Sequence, residues 1–207
     1  MVKGILGKKI GMTRIFRDNG ESIPVSVLNV GPCYIIQIKR IDKDGYNAVQ
    51  IGFQPKKEKR VNKPLSGHFK AAGKGAFSLL REIKVDDSDA FQLGQEINSE
   101  IFSVGDLVTV RGISKGRGFT GVVKRWGFSG GGKTHGCRSH KVPGSMGASA
   151  TPSRVLKGKK LPGRMGHEKV TVKNLRVFDV IKEKNILLLK GSIPGSRGSF
   201  LEIKISK

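Results

Sequence analysis

Hydrophobic residues recur at every second position in several short stretches of this chain. Val49, Ile51 and Phe53 alternate with Gln50, Gly52 and Gln54. Val170 and Val172 alternate with Thr171 and Lys173, and Leu201, Ile203 and Ile205 with Glu202 and Lys204. A period of two sends successive side chains to opposite faces of a strand, so each stretch predicts a strand with one buried face. Further strands are predicted at 25–30, 34–41, 107–110 and 186–189, with Asn19-Gly20 and Asp44-Gly45 as tight turns between such runs. Many short strands joined by turn signals predict a mainly β fold, a closed or nearly closed barrel.

Two regions break the pattern. Residues 57–95 are polar, with a short helix expected near 65–72, and read as a small α+β insertion. Residues 112–167 are a long irregular extension in which Gly, Ser, Thr, Pro and Lys dominate and large apolar residues are sparse after Phe128. The barrel would then be assembled from 1–56, 96–111 and 168–207. Residues 119–126 predict a short helix at the base of the extension. Beyond it the chain cannot bury enough apolar surface to offset its ordering entropy, so irregular backbone is expected, ordered against a partner.

Charge sharpens this division. The 207 residues carry 39 Lys and Arg against 16 Asp and Glu, a formal net charge of +23. Residues 112–167 alone hold 12 basic side chains, no acidic one, and 14 of the 29 glycines. Self-repulsion on that scale implies a polyanionic partner. No apolar run is long enough to span a bilayer, and Lys8 and Lys9 interrupt the apolar start before it reaches the length of a secretory leader. The two cysteines, Cys33 and Cys137, are far apart and suit a reduced, cytosolic compartment. These features favour nucleic acid over a membrane.

Several motifs in the extension imitate other chemistries. Gly127 to Thr134 (GFSGGGKT) satisfies the phosphate-loop pattern, which needs a buried strand before it and a helix after it to aim N–H groups at phosphate. Here Lys124-Arg125-Trp126 precedes it, Pro143 lies soon after, and the next acid that could hold magnesium is Glu168. Gly116 to Gly121 (GRGFTG) satisfies the dinucleotide pattern, but no acid follows at ribose-binding distance. His135, Cys137, His140 and His167 lack the paired spacing of a zinc knuckle. A segment without acids also offers no carboxylate pair and no Ser-His-Asp set. Neither a cofactor, a metal, a small-molecule substrate nor enzymatic activity is expected.

The direct reading of the extension is RNA contact. Lys115, Arg117, Lys124, Arg125, Lys133, Arg138, Lys141, Arg154, Lys157, Lys159, Lys160 and Arg164 are spaced by small residues that let the backbone approach phosphates. Trp126, Phe128, His135 and His140 offer rings to unpaired bases. Lys8, Lys9 and Arg14 near the amino terminus are candidates for a second, barrel-side contact, or for plain polar surface. A DNA-binding architectural role stays open at this point, to be separated by preference for structured RNA over duplex DNA.

Three long motifs carry a family resemblance: KGILGKKIGMTRIF at 3–16, GDLVTVRGISKGRGFTGVVKRWGF at 105–128, and PGSMGASATPSRVLKGKKLPGRMGHEKVTVKNL at 143–175. Their order and spacing resemble the bacterial-type large-subunit ribosomal protein L-three family over essentially the whole chain. The resemblance implies a translation-factor-like β-barrel and a basic loop reaching toward the peptidyl transferase centre. It implies binding to 23S-type large-subunit rRNA near its 3′ end, a role early in assembly, and neighbours of the L-fourteen and L-nineteen families. Residues 115–126 would form the base of the loop and 139–164 its deep portion. A cytoplasmic ribosome is implied, with a plastid origin open. In some relatives a methylated glutamine precedes the Thr-Pro of the loop; here that position is Ala150, so the modification is not expected.

Overall fold

The computed structural model describes residues 4–206. The chain divides into two compact units, one made of the residues up to Ile113 together with those from Lys169 onward, the other of Ser114–Glu168.

The first unit contains β1 (Gly4–Phe16), β2 (Ser22–Val30), β3 (Cys33–Lys39), α1 (Ile41–Asp44) and β4 (Ala48–Lys56). It continues through α2 (Lys63–Lys70), β5 (Ala76–Lys84), β6 (Glu96–Ile97) and β7 (Leu107–Ile113). The second unit contributes β8 (Gly118–Thr120), α3 (Val122–Trp126) and β9 (Gly163–Met165). The first then resumes with β10 (Lys169–Ile181), β11 (Ile186–Lys190) and β12 (Phe200–Ile205).

Six strands close a barrel in the order β1-β12-β7-β10-β11-β2, every neighbouring pair antiparallel. Closure removes the exposed edges that an open sheet would leave. A four-stranded sheet, β5-β4-β3-β6, packs on the same core. Ile5 and Leu6 are consecutive, so they point to opposite faces of β1, and both are fully buried. Leu28, Val110, Leu187, Leu201 and Ile203 from the barrel join Ile35, Val49, Ile51 and Phe53 from the sheet in one apolar cluster. At about 25 cal/mol per Å² of apolar surface removed from water, such side chains contribute roughly 1.5–3 kcal/mol each.

The other face of the sheet carries a smaller cluster of Ile36, Phe69, Ala72, Ala76 and Phe77. Gly52 on β4 permits it: a Cβ there would lie 2.8 Å from the Phe77 ring. The insertion expected at 57–95 supplies both α2 and β5, and β5 joins strands from 33–56 in one sheet. The Asp44-Gly45 turn is the end of α1, with Gly45 in the left-handed region at φ 80°.

The alternation holds where one strand face meets the core and fails elsewhere. Val49, Ile51, Phe53, Leu201 and Ile203 are all buried as expected. Val170 is not, because the first half of β10 carries its side chains outside both apolar clusters, and a bulge after Val172 resets the register before Val177 becomes buried. No helix among the described residues is long and apolar enough to cross a membrane.

Cys33 is buried in the core, its Sγ 3.6 Å from the Leu6 carbonyl oxygen. Burial pushes its thiol up to about 12. A maleimide near neutral pH is therefore expected to label Cys137 and spare Cys33 in the native protein, and to label both in denaturant. The unfolded chain gives up the Cys33 proton first, so this residue's contribution to stability is lost as pH rises from 9.0 toward about 12. Melting temperature across that window should fall less steeply in Cys33→Ala.

Candidate nucleic-acid interface

Residues 114–168 bury only two side chains, Thr120 and Val122. The short helix expected in 119–126 forms at α3, which begins after Gly121 and ends at Gly127, held left-handed at φ 75°. β8 and β9 bring the two ends of the excursion together, with Gly118 opposite Met165, Phe119 opposite Arg164 and Thr120 opposite Gly163. The Arg117 backbone N–H also donates to the Met165 carbonyl at 2.9 Å, and Ser114 N–H to the Glu168 carbonyl at 2.8 Å.

Arg125 and Trp126 fasten this base from the helix side. Arg125 Nη1 donates to the Leu161 carbonyl at 2.7 Å and Trp126 Nε1 to the same oxygen at 2.9 Å. The Arg125 guanidinium lies 4.9 Å from the Trp126 ring centre and Lys160 Nζ 5.9 Å from it. Gly163 leaves the space that the Arg125 guanidinium occupies. Both side chains expected to reach RNA are thus partly engaged within the protein, although Trp126 keeps 43% of its surface exposed.

Farther out, the chain folds on itself through glycine. A Cβ at Gly130 would collide with the His140 carbonyl, and one at Gly131 with that of Ser139. The His140 ring closes the same loop, Nδ1–H donating to the Gly132 carbonyl at 2.8 Å. Ser153 Oγ donates to the Ala150 carbonyl, and Met146, Ser149, Arg154 and Val155 line an open hollow beside it.

Lys115, Arg117, Lys124, Lys133, His135, Arg138, Lys141, Arg154, Lys157, Lys159, Lys160 and Arg164 are all exposed. Glu168 is the one carboxylate in the unit, so these cations have almost no internal counter-charge. Phe119, passed over in the sequence, is 81% exposed on β8 opposite Arg164. A phenyl ring so placed, between cations, suits stacking on a base. Its signal in the sequence was an aromatic residue inside a glycine–arginine run.

The motif look-alikes lose their structural basis. The stretch 127–134 follows a five-residue helix instead of a buried strand, and the next regular element after it is β9, not a helix. The 116–121 motif follows β7, whose barrel partners are both antiparallel, so no parallel βαβ unit exists there. No group of three or more His, Cys, Asp or Glu among the described residues could hold a metal ion.

The barrel-side candidates separate. Lys8 is half-buried and Arg14 is exposed on β1 opposite Pro24. Lys9 differs from the expectation. It is 8% exposed, and its ammonium donates to the carbonyls of Ile193 at 2.9 Å and Gly195 at 3.2 Å. On β1 it lies on the same strand face as Ile5 and Gly7 and pairs with buried Leu28, so alternation turns it inward, whereas Ile10 beside it is exposed.

Comparison with known proteins gives a consistent set of relatives. The sequence model of the family described as Ribosomal protein L3 matches residues 78–186. The chain is similar to the large ribosomal subunit protein uL3 of Geotalea daltonii, 52% identical over 206 residues covering 100% of this chain and 98% of that one. It is likewise similar to the uL3 proteins of Carboxydothermus hydrogenoformans, at 54% identity with 99% and 97% covered, and of Desulfosudis oleivorans, at 55% with 99% and 98% covered.

Two measurements probe this surface. Proteinase K should cut the RNA-free protein within 129–160 before it touches the barrel, since that stretch buries nothing. Combining Arg125→Met with Trp126→Phe, which removes both bonds to Leu161, should speed that cleavage; equal resistance of stretch and barrel would contradict the reading. Calorimetric titration with ATP should show no binding in either the parent or Lys133→Ala.

Proposed function

Because the chain belongs to the ribosomal protein L3 family, we propose that it is a structural constituent of the large ribosomal subunit that binds large-subunit rRNA and performs no catalysis of its own. The barrel sets position on the RNA surface. Residues 112–167 act as the penetrating extension, which screens phosphates of RNA helices that would otherwise repel one another. The carrying observation is the combination, in Ser114–Glu168, of exposed cations, a single carboxylate and only two buried side chains. Surface of that kind has little reason to exist without a polyanion against it.

The finer reading follows the family resemblance. The protein binds near the 3′ end of the 23S-type rRNA, joins early in assembly and directs the extension toward the peptidyl transferase centre, with L-fourteen and L-nineteen proteins as neighbours. Lys115, Arg117, Lys124, Lys133, Arg138, Lys141, Arg154, Lys157, Lys159, Lys160 and Arg164 contact phosphates. Phe119 and the exposed part of Trp126 stack on bases, and His135 and His140 lie among them. Arg125 fastens the base, and Arg14 serves the barrel side. The cytoplasmic ribosome is its location.

Salt dependence tests this division of labour. Replacing 129–160 by a short glycine linker keeps β8, β9 and the Leu161 carbonyl and removes seven cations, Lys133, Arg138, Lys141, Arg154, Lys157, Lys159 and Lys160. The slope of log affinity against log salt, measured on a transcript of the 3′ region of large-subunit rRNA, should flatten by about 0.7–0.9 for each phosphate the protein no longer neutralises. Residual binding through the barrel should survive, and duplex DNA should compete poorly. An unchanged slope would show that the extension is only a solvated linker.

A further inference from the structure

Lys9 is tied to one loop by both its side chain and its backbone. Besides its two ammonium bonds to Ile193 and Gly195, its backbone N–H donates to the Ser199 carbonyl at 2.9 Å, and its own carbonyl accepts from Gly198 N–H at 2.7 Å. All four bonds reach the segment 193–199, which joins β11 to β12. A buried ammonium is costly unless fully hydrogen-bonded, and an apolar side chain of similar size fills such a place at lower cost. What the lysine adds is a fixed geometry for that loop.

The loop is built to be held rigidly. Ser199 N–H donates to the Ser196 carbonyl at 3.2 Å and Ser199 Oγ to the same oxygen at 2.7 Å, closing a turn over 196–199. Gly198 takes its third position at φ 80°, the conformation a type II turn requires. Gly195 has φ 90°, and a Cβ there would strike the Ser199 side chain and lie 3.0 Å from the Ile113 carbonyl. Arg197 sits exposed at the second position of the turn, the tip.

Its side chain lies over β1. Arg197 Nε is 3.7 Å from where a Cβ on Gly11 would stand, and Lys8 Cε is 3.7 Å from where one on Gly198 would stand. Each of the two cationic side chains thus lies beside a glycine of the other's segment. Among the described residues, neither has an ion-pair partner. A guanidinium fork and an ammonium carried on these adjoining segments suit the oxygens of a phosphodiester.

We propose that Lys8 and Arg197 form a phosphate-binding pair for large-subunit rRNA on the barrel, and that Lys9 is the positioning residue that holds the 196–199 turn so that Arg197 meets Lys8. This rests on the RNA-binding reading above and adds to it a site built from residues at opposite ends of the chain.

The test uses the full-length protein and a transcript of the 3′ region of large-subunit rRNA over a range of salt concentrations. Arg197→Gln should flatten the slope of log affinity against log salt by about 0.7–0.9 without moving the melting temperature, and Lys8→Gln should act in the same direction. Lys9→Met should reproduce the loss seen in Arg197→Gln, although Lys9 is buried away from RNA. The Lys9→Met/Arg197→Gln double variant should then lose no more than Arg197→Gln alone. A parental slope in Arg197→Gln, or full additivity of the two substitutions, would overturn the proposal. Should Lys9→Met not fold, Arg197→Gln with recovery in Arg197→Lys decides it. A parent whose binding to the transcript does not depend on salt would instead strike the RNA-binding reading itself, before any variant is compared.

Discussion

The antiparallel pairing of β7 with β10 is the constraint on which this architecture depends. Ile113 and Lys169 are direct partners in that ladder, so the chain leaves the barrel and returns to it at adjacent positions. Everything from Ser114 to Glu168 is therefore an excursion between two hydrogen-bonded neighbours. Closing a long loop costs entropy that grows only slowly with its length. The barrel meets that cost with its own core: Val110 of β7 is fully buried, flanked in the ladder by β12 on one side and β10 on the other, and Ile203 lies opposite it. Because closure is secured by the strands, the excursion is free of any duty to fold the barrel, and its composition can follow a partner's demands.

That freedom shows in what the excursion omits. A segment selected for stability would carry apolar residues at helical or strand spacing and carboxylates to balance its cations. This one buries Thr120 and Val122 and has Glu168 as its one acid. Its internal order comes from backbone and carbonyl contacts instead: the β8–β9 pair, the two donors on the Leu161 carbonyl, and glycine positions where chains meet too closely for a side chain. Such contacts shape a path without neutralising charge. Repulsion among the cations remains and falls off over about 8–10 Å at physiological ionic strength. A polyanion set among them would relieve it at the distances where it is strongest.

The sequence made the fold class readable because several strands have one face in the core and the other in water. The clean alternation at 49–53 and 201–205 is the trace of that asymmetry, and Val49, Ile51, Phe53, Leu201 and Ile203 are buried accordingly. It could not show β1 in the same way. There Ile5 and Leu6 are buried on opposite faces, and Lys8 and Lys9 interrupt what would be a hydrophobic run. Val170 misled in the opposite sense, since alternation on a strand stretch away from the core buries nothing. The candidate interface was readable as charge density, which needs only counting. Its geometry was not, because the groups that hold Arg125 and Trp126 lie some 35 residues away in the chain.

Lys9 shows most clearly why residue type alone cannot assign a role. In a chain of net charge +23 any lysine near the surface reads as a phosphate contact. The partner of this one lies 184 residues away, and only the closed barrel brings the carbonyls of Ile193 and Gly195 to it. Alternation from Ile5 turns Lys9 inward, opposite buried Leu28, and a β-bulge follows between Lys9 and Gly11. Just beyond the bulge, a Cβ on Gly11 would stand 3.7 Å from Arg197 Nε. Strand alternation thus withdraws one cation from the surface, while another, Arg197, lies beside a glycine of the same strand. The positive surface of the barrel is for that reason set by strand geometry as much as by lysine count.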